Sequence, residues 1–310
     1  MKIICIVGPT ACYKSQTAIS LAKRFKGEIL SCDSVSVYKG FDIGSAKPSP
    51  QEQKTVPHHL IDIADPFDLN FTVSVFQQYA DDAIRNCFEK NATPVLAGGS
   101  GMYYDAVLHP MTYACPSDAA VRDYLSKEYD ADPLMLQREL RAVDSIAADR
   151  IPLNDKKRLV RALEVYKITG SPFSSFLEDY RSQQAKFRYR TLRIGLSLPR
   201  EMLYARIEQR VDAMLQAGLV KEVEELLARG LSEHYPAMQS IGYHQIMKYL
   251  HGQYTLEYAV DEIKKATRHL AKRQFTWFRR DSGIRWFDCT DYNNMLNEIT
   301  QYVEQNLNEQ

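Results

Sequence analysis

The chain opens on an unbroken apolar run, Ile3-Ile4-Cys5-Ile6-Val7. A strand covered on both faces reads this way, because neither side meets water. Gly8-Pro9-Thr10 interrupts it, and residues 15–25 follow with Ala18, Ile19, Leu21, Ala22 and Phe25 on one helical face. Gly27 ends that helix, and residues 28–32 predict a second strand. His59 to Ile63 is a weaker strand candidate, residues 73–90 suit a helix, and Pro94 to Ala97 is a short strand stopped by Gly98-Gly99. Strands alternating with helices predict a parallel sheet with helices on both faces.

From about residue 117 the pattern changes. Residues 118–180 are charged, helical in spacing and poor in strand signals. Sheet character returns at Leu192 to Leu198, followed by helical patterns at 199–229, 240–251 and 255–280, and Ile284 to Phe287 is a candidate last strand. The expected organisation is an α/β core over 1–116 and 188–310, its C-terminal part helical and basic, with a helical insertion at 117–187.

Composition narrows the class. The 310 residues are 45% hydrophobic and 25% charged, which fits a globular chain and excludes a largely disordered one. Lys+Arg and Asp+Glu are both 39, so any attraction for nucleic acid must come from a local cluster. No two of the six cysteines are spaced C-x-x-C, which argues against a structural zinc site, and scattered cysteines fit a reducing cytoplasm. No stretch reaches about 18 uninterrupted apolar residues, so no membrane helix is expected.

Gly8-Pro9-Thr10-Ala11-Cys12-Tyr13-Lys14-Ser15 lies between a predicted strand and helix. The pattern G-x-x-x-x-G-K-[ST] curls backbone N–H groups around an anion at a helix N-terminus, with the lysine as a point charge and the hydroxyl offered to Mg²⁺. Tyr13 occupies the second glycine position. If φ is positive there, tyrosine costs about 1–2 kcal/mol, its ring is a candidate obstruction, and Tyr13→Gly is expected to improve activity. Asp33 directly follows the second strand, where a parallel sheet presents ligand-binding groups. A carboxylate there serves as proton acceptor or metal-water ligand, or simply caps a loop. Gly98-Gly99-Ser100-Gly101 follows another strand and is expected on the same edge.

With these residues in view, the chain resembles the tRNA dimethylallyltransferase (tRNA isopentenyltransferase) family over nearly its whole length. The blocks are Gly-Pro-Thr-Ala at 8–11 with Lys14-Ser15, Asp33-Ser34 with Tyr38, Asp42 to Pro48, Pro57 to Leu60, and Gly98 to Tyr103. Further along come Asn154-Asp155, Arg158 to Glu164, Ile241-Gly242-Tyr243, Ala271 to Gln274 and Thr276 to Arg280. The resemblance implies a P-loop NTPase-like parallel sheet with flanking helices and a helical insertion domain. It also implies transfer of a dimethylallyl group from dimethylallyl diphosphate to N6 of adenosine 37, beside the tRNA anticodon.

In that scheme residues 8–15 (Gly8, Pro9, Thr10, Ala11, Cys12, Tyr13, Lys14, Ser15) form the diphosphate loop, with Mg²⁺ on Ser15. Lys14 and Arg161 stabilise the leaving diphosphate, and Asp33 takes the proton from the attacking amine. Positions Asp33, Ser34, Val35, Ser36, Ser100, Arg122, Lys157, Arg158, Leu159, Val160 and Arg161 correspond to RNA-contacting ones. Gln239, Lys272, Arg273 and Arg279 complete the candidate set. A monomer is expected. Cys12, Ser45, Ser100 and Lys157 depart from the residues usual in the family, but mildly.

Residues 264–285 hold eight Lys or Arg against one acid, interleaved with Phe275, Trp277 and Phe278. The cations suit an RNA backbone and the rings suit stacking on bases, although Phe275 and Phe278 three apart also read as a core stripe. The insertion's basic residues suit a lid over the anticodon arm. His58-His59 does not predict a metal site: neighbouring strand residues face opposite ways, and the sequence shows no further ligand cluster. A small-metabolite kinase, an enzyme prenylating free adenine nucleotides, and a tRNA-binding paralogue with little activity remain open on the residues alone.

Overall fold

The structure, a computed structural model, describes residues 2–111, 115, 118–176 and 186–307. The chain divides into two compact units, Met1–Val107 with Tyr189–Gln310, and Leu108–Arg188.

The first unit is built on a six-stranded, wholly parallel sheet. Its strands are β1 (Ile3–Val7), β2 (Gly27–Cys32), β3 (His58–His59), β4 (Thr93–Gly98), β5 (Thr191–Ser197) and β6 (Arg285–Asp288), in the order β3-β2-β4-β1-β5-β6. All five residues of β1 are buried, as the lack of alternation predicts. Val7 and Cys32 both pair with Gly98 of the intervening β4. Gly8, Asp33 and Gly99 therefore leave the sheet at one level on its carboxyl edge, where α/β proteins bind ligands.

Helices α1 (Lys14–Arg24), α2 (Pro50–Thr55), α3 (Val73–Glu89) and α4 (Gly101–Leu108) precede the second unit along the chain. The first packs through Thr17, Ala18, Leu21 and Ala22 against a core that includes Ile4, Ile6, Val95 and Ile194. The single helix expected over 199–229 is two, Arg200–Gln216 and Leu219–Ala228, because Gly218 adopts φ +102 and breaks the hydrogen-bonded run. The strand expected at His59 to Ile63 stops after His59, since Leu60 and Asp62 both have positive φ. Helices Tyr243–Leu250, Leu256–Phe278 and Tyr292–Leu307 complete this unit.

In the second unit, helices α5 (Ala119–Ala131), α6 (Pro133–Val143), α7 (Ser145–Arg150) and α8 (Lys156–Thr169) each begin at an aspartate. Asp118, Asp132, Asp144 and Asp155 all accept a first-turn N–H, satisfying donors the helix cannot. Leu125, Leu136, Leu140, Leu159 and Leu163 form this unit's own core. Among the described residues, no helix of either unit is long and apolar enough to cross a membrane.

Candidate active site

The loop after β1 has the backbone of an anion cradle. Gly8 has φ +145, and a Cβ there would lie 2.5 Å from the Leu196 carbonyl oxygen, so only glycine fits. Ala11 and Tyr13 both adopt left-handed φ, 63° and 58°, before helix α1 starts at Lys14. Among the described residues, no acceptor takes the N–H groups of Ala11 through Ser15. Successive open N–H groups at a helix start form a site for negative charge. Thr10 is the exception in the expected set: its N–H donates to Gln274 Oε1 at 2.8 Å. Gln274 Nε2 in turn donates to the Gly99 carbonyl at 3.1 Å, tying the loops after β1 and β4 together.

Asp33 is held by its own loop. Its Oδ1 accepts from the N–H groups of Val35 (2.8 Å) and Ser36 (3.1 Å), while Oδ2 takes no hydrogen bond among the described residues. Ser100 Oγ accepts from the Ser34 N–H at 3.0 Å, fixing this loop against the one after β4. The carboxylate is thus oriented, with one oxygen open.

Asp33 and the phosphate loop line one cavity of about 520 Å³, in the usual range for a small-molecule site. Four cations line it too: Lys14, Arg206, Arg210 and Lys47, the last paired with Asp42 and Asp62. Lys14 Nζ donates to the Pro9 carbonyl at 2.6 Å. Burial lowers its pKa to about 8, with neighbouring Arg210 acting in the same direction. Arg210 has neither a hydrogen bond nor an ion pair among the described residues; burial and Arg206 work against its charge, and Asp33 favours it. Arg206 donates through Nε to the Ala11 carbonyl (2.9 Å) and through Nη1 to Tyr13 Oη (2.6 Å). With Lys47 already paired, Lys14, Arg206 and Arg210 against the Asp33 carboxylate leave a local excess of positive charge, which a multiply charged anion would neutralise. Ile207, Val211, Met214 and Leu270 give the cavity an apolar wall.

Arg206 and Arg210 were absent from the residues expected from sequence. Their signal was present: both flank the buried stripe Leu203, Ile207 and Val211, instead of lying opposite it. The Tyr13 ring lies beneath the Arg206 guanidinium, 3.7 Å from its centroid, and packs on Tyr292 at 5.0 Å.

Another wall is the loop Asp42 to Pro48, which Glu222 fixes. Its carboxylate accepts from the N–H groups of Asp42, Ile43 and Gly44 and from the Tyr243 hydroxyl. Ser45 keeps the hydroxyl's use, donating to the Phe41 carbonyl at 2.6 Å. Gln239 also lines the cavity. The Ser15 hydroxyl, with no hydrogen bond among the described residues, offers a hard oxygen donor to the same space, which suits a Mg²⁺ that retains most of its waters.

The remaining expected residues fall elsewhere. Lys272 and Arg273 are exposed on the helix Leu256–Phe278, and Arg279 covers the Phe275 ring. The rings there pack within the protein: Phe278 is buried and Phe275 stacks on Trp286. Ser34 and Val35 stand beside Asp33 on the cavity wall. Arg122, Lys157, Arg158 and Arg161 belong to the second unit. Arg161 and Arg122 both bond the buried Glu164, at 2.7 and 2.9 Å, and Arg161 also reaches the Cys115 carbonyl. Leu159 and Val160 are a correction as side-chain contacts to RNA: α8 turns both into the core, leaving Lys157 and Arg158 exposed.

His59 also departs from expectation, because folding brings Glu28 and Cys87 to it, with donor atoms within 4.8 Å of one another. The trio is internally satisfied. His59 Nε2 lies 2.6 Å from Glu28 Oε2, Lys90 pairs with the same carboxylate at 3.5 Å, and burial first, with Glu28 adding, pushes the Cys87 thiol up to about 12. A protonated thiol and a carboxylate already paired with a cation make a poor metal centre.

Comparison with known proteins agrees with this architecture. The IPP transferase family profile matches residues 36–281. The chain is 45% identical to the tRNA dimethylallyltransferase of Carboxydothermus hydrogenoformans, covering 97% of this chain and 96% of that one. The crystal structure of the full-length tRNA isopentenylpyrophosphate transferase from Bacillus halodurans superposes with a TM-score of 0.72 at 38% identity, covering 98% of this chain and 96% of that chain. A eukaryotic dimethylallyltransferase caught acting on tRNA superposes with a TM-score of 0.81 at 27% identity, covering 97% of this chain and 77% of that one.

Proposed function

The chain belongs to the IPP transferase family, and we propose that it transfers a dimethylallyl group from dimethylallyl diphosphate to N6 of adenosine 37 in tRNA. The observation that carries this reading is the shared level of Val7, Cys32 and Gly98. It sets an open amide cradle and an oriented carboxylate in one cavity with excess positive charge.

In this scheme the amides of Ala11 to Ser15, with Lys14 and Arg210, bind the diphosphate. The allylic C–O bond breaks, a C–N6 bond forms, and negative charge grows on the departing diphosphate oxygens, which these donors would stabilise. Asp33 Oδ2 accepts the N6 proton, which an exocyclic amine must lose for the product to be neutral. Mg²⁺, held by Ser15, would supply further charge neutralisation when bound. The adenine leaves its stack to reach the cavity, whose apolar wall suits the prenyl chain. The exposed Lys272 and Arg273 suit the RNA backbone, and the basic residues of the second unit suit the anticodon arm. A cytoplasmic monomer fits a protein that acts on tRNA.

Incubating the pure protein with dimethylallyl diphosphate and an unmodified anticodon stem-loop tests the reading. Mass spectrometry of the A37 fragment should show the added dimethylallyl group. RNA binding without transfer would favour the paralogue, and use of ATP in its place would favour a kinase.

A further inference from the structure

We propose that Tyr13 is a positioning residue: it holds the Arg206 guanidinium against the phosphate loop and thereby sets affinity for the diphosphate. The inference rests on the proposed function, which identifies the anion. It reverses the expectation that tyrosine at a glycine position only impairs the loop.

Tyr13 adopts the left-handed conformation that the loop requires, so the loop keeps its course without glycine. Its side chain then makes contacts glycine has no atoms for. Arg206 stacks on the ring at 3.7 Å and donates to the phenol oxygen at 2.6 Å. The Ala11 carbonyl, on the same loop, is the only other hydrogen-bond acceptor of Arg206 among the described residues. No carboxylate pairs with it there. Arg210, one turn along the helix, is a like charge that favours moving Arg206 away.

Two of the three contacts that draw Arg206 to the loop therefore come from Tyr13. A guanidinium has five N–H donors, so Arg206 keeps several for an anion while bound this way. The Tyr292 ring at 5.0 Å limits how far the phenol can swing. Glycine at 13 would leave Arg206 only the Ala11 carbonyl.

The test uses the full chain as wild type, Tyr13→Phe, Arg206→Ala and the double variant. Calorimetry with inorganic pyrophosphate gives Kd, and steady-state transfer to the stem-loop gives KM and kcat. Tyr13→Phe, which keeps the ring and loses the phenol oxygen, should raise Kd and KM about three- to tenfold and leave kcat within about twofold. Arg206→Ala should raise both further, and adding Tyr13→Phe to it should change nothing more. Tyr13→Gly should also bind more weakly. Wild-type affinity in Tyr13→Phe, tighter binding in Tyr13→Gly, or an undiminished Tyr13→Phe effect in the Arg206→Ala background would overturn the inference and leave the proposed function standing. A wild-type protein that binds no pyrophosphate would overturn the proposed function itself, and the inference with it.

Discussion

Lys14 Nζ donates to the carbonyl oxygen of Pro9 at 2.6 Å, folding the ammonium back onto the loop that carries it. Burial has lowered its pKa to about 8. The charged form, which an anion needs, is therefore lost as pH rises through about 8 in the free protein. Pyrophosphate affinity should be flat near pH 7 and fall above that value, and Lys14→Ala should weaken binding and flatten the profile. Titrations between about pH 6.5 and 9.5 read this directly. Stability moves the other way. The unfolded chain keeps this proton toward the ordinary value of 10.5, so between about 8 and 10.5 the group's contribution rises with pH.

Asp33 is oriented by two backbone N–H groups on Oδ1, which an asparagine oxygen would also accept. Asp33→Asn should therefore keep the loop and lose the proton acceptor. We expect kcat to fall by about 10²–10⁴, with pyrophosphate affinity unchanged or tighter, because a negative charge near Lys14 and Arg210 is gone. Full turnover in this variant would remove Asp33 from its role.

Gln274 joins the Thr10 N–H to the Gly99 carbonyl. Gln274→Leu leaves both groups without their partner and should cost about 1–3 kcal/mol, read as a lower denaturant midpoint. Gly99→Ala should disturb the same tie, since a Cβ there would lie 2.2 Å from Gln274 Nε2.

Glu164 is buried within the second unit between Arg161 and Arg122. Burial raises its pKa, but the hydrogen bonds from Arg161, Arg122 and the Asp118 N–H outweigh this and hold it below 4.5. Its stabilising contribution is present above that value and is lost as pH falls through the lower, folded one. Glu164→Gln should destabilise this unit by about 2–3 kcal/mol. Hydrogen–deuterium exchange over residues 119–169 should be faster at matched pH, and unchanged exchange would exclude the effect.

Several features of this protein were legible along the chain. The buried run Ile3 to Val7, the loop to Ser15, Asp33 after the second strand and the alternation of strands with helices all follow from local periodicity and turn chemistry. The helix break at Gly218 was missed because an apolar pattern can continue across a left-handed cap. Phe275 and Phe278 were ambiguous because an aromatic ring on a helix has the same spacing whether it packs inward or meets a base.

By itself, then, the sequence determined the sheet's strands and the two loops that carry chemistry, since each depends on neighbours a few residues away. Only the tertiary structure decided that Arg206, Arg210 and Gln274 close around those loops, that Tyr13 meets a guanidinium, and that Glu164 claims two arginines. These groups are separated from their partners by up to 264 residues, except within α8, where the helix itself places Arg161 beside Glu164. A charged side chain on an amphipathic helix has the same local pattern facing water or a cavity, and chain packing alone assigns the side.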